Sequence, residues 1–278
     1  MKWIYFFDEK IKPIALRGQK ALHPAETGKL GGGVSCIRQY DVNLWFYTKG
    51  ERTIAFDAGH LNYPGIEEEF EKIGIHPEDI RHLFLTHVDV DHAGGVDISG
   101  KNIFPKAQVY LGRREEIYLR GEHHRFKRMG LKIKNCVGIA PGYRLLEDEE
   151  IIEAEGIFVQ ALHVPGHTLG HLCYLVDGKI LISGDCLAVN EEGGYSFFDF
   201  FTQYPKLNKA SLRQLKERLS GTKIEMVCTG HSGCHTKTEN LFAHIDESAT
   251  LSRKRAFDES APGNLFKKSK RKRESEKK

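Results

Sequence analysis

Four separated apolar runs in this 278-residue chain each end in a histidine or an aspartate, and its fold must explain all four ends. The richest is "LFLTHVDVDHAGG", Leu83 to Gly95, where His87, Asp89, Asp91 and His92 crowd into six positions behind a strand-like run. "FVQALHVPGHTLGH" carries His167 in a Pro-Gly turn, "ILISGD" ends in Asp185, and "MVCTG" runs into His231. Loops at strand ends are where a rigid scaffold can aim side chains into one shared site. A lone histidine beyond a strand is ligand-free more often than not, but four such ends are much harder to explain structurally. The local alternative for "HVDVDH", a polar turn with Asp91 capping a helix that begins near Ala93, leaves the other three ends without a reason.

The rest of the pattern sets the architecture. Strand-like runs fit 3–7 ("WIYFF"), 43–48, 53–59 and 108–112, with an amphipathic helix over 65–75 carrying Ile66, Phe70 and Ile73. A short helix fits "RREEIYLRG" after the 108–112 strand. The second half repeats the rhythm, with strands at 157–164, 171–176, 179–185 and 225–230 and a helix at 209–220. Two blocks of strands, each followed by helices, predict an α/β protein with two sheets packed face to face and helices outside. No apolar run approaches the roughly 20 residues of a membrane span. Charge appears early at Asp8 and Glu9, so no secretory leader is expected, and the six scattered cysteines without a CxxC pair fit reduced thiols in a cytoplasmic protein.

Charge is unevenly placed. From Lys267 the chain reads "KKSKRKRESEKK", a stretch of net +6 in a chain of net +3, so the remainder stands near −3. The expected division is a folded unit over 1–250 and a basic, disordered tail over 251–278. The tail raises a nucleic acid or an anionic surface as a partner, although a plainly solvated tail is the simpler expectation.

Histidines and aspartates at this density point to metal chemistry. Seven candidate ligands (His87, Asp89, Asp91, His92, His167, Asp185 and His231) are enough for two divalent ions, zinc first, with iron or manganese as alternatives. Such a pair clamps the attacking and leaving oxygens of a displacement and lowers the pKa of a bridging water. Asp57, ending the run 53–59, is a candidate to orient a ligand histidine; a turn-forming aspartate before Gly59 is an equal alternative.

From Val34 to His235 the chain resembles the metallo-β-lactamase superfamily, whose metal motif is usually HxHxDH followed in order by His, Asp and His. The resemblance implies a four-layer αβ/βα sandwich with its site at one edge of the two sheets. It also implies that His87, Asp89 and His167 hold one ion and Asp91, His92 and His231 the other, with Asp185 bridging. Asp89 departs from the motif, standing where an imidazole is usual. Two divalent ions facing three aspartates and a bridging hydroxide sum to a neutral centre, where a histidine would leave it positive. A neutral centre should acidify its water less and favour harder ions. The flavodiiron branch of the superfamily also has a carboxylate there, but adds a flavodoxin domain for which this chain has no room.

The leading expectation is a hydrolase acting on a small ester, lactone or thioester, with Asp91 and Asp185 in catalysis. By resemblance to lactonase members, Tyr195 could polarise the substrate carbonyl; core packing is the competing expectation. The aromatic run 195–204 fits an apolar substrate, with Phe197 and Phe198 as candidate lining residues and His60 at the site mouth, and it equally fits a homodimer contact. Two other classes stay open: a diiron redox protein, prompted by Asp89, and a small phosphodiesterase, prompted by the tail.

Overall fold

Along the strands, alternate residues face opposite sides, and the buried side chains sort accordingly into three apolar layers. The computed structural model describes residues 2–12, 22–128 and 130–249; the basic tail expected over 251–278 lies outside them. One sheet holds β1 (Gly28–Gly31), β2 (Val34–Gln39), β3 (Val42–Lys49), β4 (Arg52–Phe56), β5 (His82–Phe84), β6 (Gln108–Gly112) and β9 (Arg144–Leu146), in that spatial order. Between β6 and β9 the chain makes a separate hairpin of β7 (His124–Arg128) and β8 (Leu131–Lys134). The second sheet runs β10 (Ile151–Ala154), β11 (Ile157–His163), β12 (Leu172–Val176), β13 (Ile180–Gly184), β16 (Met226–Thr229) and β17 (Cys234–His235). A small third sheet joins β14 (Leu187–Asn190), β15 (Gly193–Ser196) and β18 (His244–Ser248).

Odd and even positions explain the packing. Trp45 and Tyr47 of β3 and Ile54 and Phe56 of β4 meet Val159 and Ala161 of β11 and Tyr174 and Val176 of β12 between the two large sheets. Leu44, Phe46 and Ala55 point the other way and pack on Ile66, Phe70 and Ile73 of the helix Ile66–Ile73. On the far side, Leu162, Cys173 and Leu175 pack on Leu212 and Leu215 of the helix Pro205–Arg218. Helix, sheet, sheet, helix is the four-layer sandwich expected. No helix among the described residues is long and apolar enough to cross a membrane.

The run 3–7 departs from the strand expectation: Lys2–Phe6 is α-helical and continues as a π-helical turn over Phe7–Ile11. The helical spacing puts Ile4, Asp8 and Lys12 four residues apart on one face. That face lines the same cavity as the His/Asp cluster, with Asp8 and Lys12 buried.

Candidate metal centre

Strand direction brings the four ends to one edge. Strands β4 and β5 are parallel, as are β13 and β16, and β11 runs with β13 through the antiparallel β12. Two polar handles tie the sheets together near this edge: Trp45 Nε1 donates to the carbonyl of Thr229 (3.0 Å), and Tyr174 Oη to that of Leu85 (2.7 Å). Asp57, His87, Asp91, His92, His167, Asp185 and His231 are all buried. The helix Val90–Ala93 begins after Asp89 without a side-chain cap, so the carboxylates of the motif are not used for capping.

Tautomers follow from the outer partners of each ring. The carboxylate of Asp57 can only accept, so His92 Nδ1, 2.8 Å from its Oδ2, carries the hydrogen. Thr86 gives its hydroxyl hydrogen to Asp57 (2.9 Å), which leaves its oxygen to accept from His87 Nδ1 (3.0 Å). His231 Nδ1 donates to the backbone carbonyl of Asp41 (2.6 Å). In each neutral ring the lone pair therefore lies on Nε2, the atom turned into the cluster, which is the orientation a metal ligand needs. His87 Nε2, His92 Nε2 and Asp185 Oδ1 are buried and have no hydrogen-bond partner among the described residues.

Two triads bring their ligand atoms within 4.8 Å of one another: His87, His167 and Asp185, and Asp91, His92 and His231. Electrostatics show what the site lacks. Burial opposes charge on His92 and His231, yet the Asp185 carboxylate outweighs it, holding His92 well above the ordinary imidazole range and lifting His231 to about 10. Burial likewise opposes ionisation of Asp185, and the His231 and His92 rings hold its pKa well below the usual carboxylate range. The cluster thus draws in positive charge, and its orphaned nitrogen and oxygen atoms suit a divalent ion.

Asp89 behaves differently from the ligand role expected of it. Arg125, from β7, donates through Nε to its Oδ1 (2.6 Å) and through Nη2 to its Oδ2 (2.7 Å), a side-on bidentate pair. Asp89 still approaches His167 Nε2 (3.2 Å) and His87 Nε2 (3.4 Å), but belongs to neither triad. Burial works against its charge, and the Arg125 guanidinium holds its pKa well below the usual carboxylate range. Burial and the same guanidinium lower His167 to about 3. The neutral charge balance expected from Asp89 is therefore changed, because a buried cation accompanies the extra carboxylate.

Several participants escaped the sequence reading. Lys12 contacts Asp91 closely and lies 2.7 Å from Asp8 and 3.4 Å from Asp41. Burial opposes its charge, but the carboxylates of Asp41, Asp8 and Asp91 keep the ammonium well above the ordinary lysine range. Glu115 accepts from the Val88 and Gly170 amides (3.0 Å each) and from the Thr168 hydroxyl, tying the His87 loop to the His167 loop. His171 Nε2 accepts the Asp185 amide (3.1 Å) and so fixes that loop from behind. Asp57, in the left-handed backbone region at φ 60°, receives the Thr86 amide (2.7 Å) as well as His92. A strained conformation held by this many bonds is characteristic of functional sites.

The remaining candidates separate clearly. Phe197 lines the cavity, stacked on His231 (centroids 5.7 Å) and edge-on to His167 (5.2 Å). Phe198 is buried behind it, 5.1 Å between centroids. His60 sits one layer back, its Nδ1 3.0 Å from Asp8. The Tyr195 hydroxyl donates to Glu192 (2.9 Å) and its ring stacks on His244 (4.6 Å), so the structure does not bring it to the cluster.

An N-acyl homoserine lactonase of a Bacillus species is 29% identical over 170 residues, 58% of this chain and 59% of that protein. A lactamase-like protein of Emericella nidulans is 25% identical over 177 residues, 63% of this chain and 48% of that protein. The matches thus span about half to three-fifths of these relatives' own lengths. Among solved structures, a B3 metallo-β-lactamase with an active-site glutamic acid shares the fold at TM-score 0.56 and 19% identity, covering 77% of this chain and 81% of that one. A β-lactamase from Chitinophaga pinensis does so at TM-score 0.56 and 21% identity, covering 76% and 80%. The sequence pattern of the metallo-β-lactamase superfamily matches residues 37–231, and the chain belongs to that superfamily.

Proposed function

We propose that this chain is a metal-dependent hydrolase of a small ester, lactone or thioester with an apolar acyl part. One observation carries the reading: His167, His231, Asp91 and Asp185 of the cluster line one cavity together with a group of apolar side chains. The cavity has a volume of about 140 Å³, and Ile4, Phe7, Leu22, Phe126, Phe197 and Phe201 supply most of its wall. That is room for a compact acyl or ring group, of the order of a benzene-sized cavity.

His92, His231 and Asp91, with Asp185, are the residues best arranged to hold an ion, and His87 and His167 extend the cluster. A bound divalent ion, zinc being the first candidate, supplies a Lewis acid and lowers the pKa of water to near neutral. The chain's own part follows from its geometry. Phe197 and its neighbours exclude solvent from the acyl group, and Asp185, whose buried Oδ1 has no hydrogen-bond partner among the described residues, lines the same cavity. From its place beside the cluster, Asp185 takes the proton of the attacking water and returns it to the leaving oxygen or sulfur as the acyl bond breaks. The lactonase relative supports this substrate class. The redox alternative rested on Asp89 as an iron ligand, and Arg125 takes both its oxygens.

A series of acyl thioesters of increasing chain length, read by thiol release from zinc-reconstituted protein, tests the substrate class. Turnover should peak at short or medium acyl groups and vanish in His231→Ala. Equal turnover in that variant would remove the assignment.

A further inference from the structure

The bidentate hold of Arg125 on Asp89 has a counterpart on its other edge. Arg125 Nη2 also lies 2.9 Å from His167 Nε2, one of the nitrogens the first triad needs. A guanidinium can only donate, and a neutral imidazole nitrogen has one lone pair. His167 Nε2 either accepts from Arg125 or, in the other tautomer, donates to Asp89 Oδ2 (3.2 Å), and in both cases it has no lone pair free for an ion.

The guanidinium is built into this place. Its side chain is only 4% exposed, and Nη2 also donates to the carbonyl of Phe201 (3.2 Å). Gln203 Nε2 holds the preceding backbone through the carbonyl of His124 (2.7 Å), and the guanidinium carbon lies 4.0 Å from the centre of the Phe126 ring. Nε and Nη2 are thus committed. Nη1 is buried without a hydrogen-bond partner among the described residues, on a side chain that lines the cavity. An unpartnered buried donor is costly unless something else accepts from it. On the opposite side of the cluster the buried cation, Lys12, contacts the Asp91 carboxylate and not a ring nitrogen, and His92 Nε2 and His231 Nε2 face Asp185 at 3.4 and 3.1 Å.

We propose that Arg125, anchored by Asp89, takes the place of one of the two metal ions. The site then carries a single ion, on Asp91, His92 and His231 with Asp185, and Nη1 of Arg125 receives the carbonyl oxygen of the substrate. The first half concerns metal binding alone; the second rests on the hydrolase reading. The aspartate at position 89 and the arginine at 125 form one device, a fixed organic cation where the usual motif builds a second metal site.

The test is a count of zinc per folded chain after reconstitution with excess zinc and desalting, alongside hydrolysis of p-nitrophenyl butyrate. The expected result is about one zinc in the wild type and about two in Asp89→His/Arg125→Met, which restores the imidazole and removes the guanidinium. Arg125→Lys, at unchanged zinc content, should lose about 100-fold in kcat/KM, the scale of deleting one aimed donor. Two zinc ions in the wild type would overturn the proposal even if the double variant fails to fold. Undiminished kcat/KM in Arg125→Lys would overturn the role of Nη1. One zinc per chain with no ester turnover in any protein would instead remove the hydrolase reading, and with it the role of Nη1, while the single-ion count stands.

Discussion

Asp57 and His92 are joined by a 2.8 Å contact between Oδ2 and Nδ1, and this contact decides which nitrogen of His92 carries the hydrogen. Asp57→Asn can present an amide N–H to Nδ1, in which case the ring turns its hydrogen inward on Nε2. Affinity for zinc should fall by about 10- to 100-fold, as for other partners behind a metal-binding histidine. A chelator competition titration measures it, and unchanged affinity would show that the ring is oriented by packing alone.

Gly230 follows the final strand of the second sheet's parallel pair and lies against the ligands. A Cβ added there would stand 2.0 Å from Asp185 Oδ1 and 2.9 Å from His92 Cε1, so the Asp185 carboxylate must move. Gly230→Ala should lower turnover by about 100-fold or more, as misplacement of about 1 Å at a reacting centre does. The far-ultraviolet circular dichroism should remain that of the wild type. Wild-type turnover would mean that Asp185 is not held where catalysis needs it.

Tyr195 tests the opposite expectation. Its hydroxyl is spent on Glu192 and its ring on His244, away from the cavity wall. Tyr195→Phe should keep turnover within about twofold and stability within about 0.5 kcal/mol, the usual range away from specific features. A loss of 100-fold in kcat would return Tyr195 to the catalytic role its sequence position suggested.

Leu215 is 1% exposed and joins the outer helix to the second sheet. Leu215→Ala should cost about 2–5 kcal/mol in urea unfolding, the range for a large-to-small change in a packed core. Zinc content of the folded fraction should not change, because the site lies at the sheet edge. A cost under about 1 kcal/mol would contradict the packing of this layer.

Much of this was legible from local pattern. Short apolar runs marked the strands, and a histidine or aspartate directly after a strand needs no knowledge of distant residues. Asp57 could be picked out in the same way, although its partners could not. What was hidden depends on pairing through space. Arg125 lies 36 residues from Asp89 in sequence, on a hairpin that none of the strand-like runs included, and only the fold brings the two together. Lys12 was missed because "WIYFF" reads as a strand by apolar run and as a helix only through the spacing of Ile4, Asp8 and Lys12. The aromatic run 195–204 offered six rings and no period, so Phe197 and Phe198 were both expected to line the site, and only the fold separates Phe197 from the buried Phe198 and adds Phe201.

The most direct measurement is acid release during ring opening of a short-chain N-acyl homoserine lactone by zinc-reconstituted protein, beside His231→Ala prepared identically. The account predicts steady, zinc-dependent acid release from the wild type and none above background from the variant. Wild-type protein that holds zinc yet opens no lactone and cleaves no ester or thioester would contradict it.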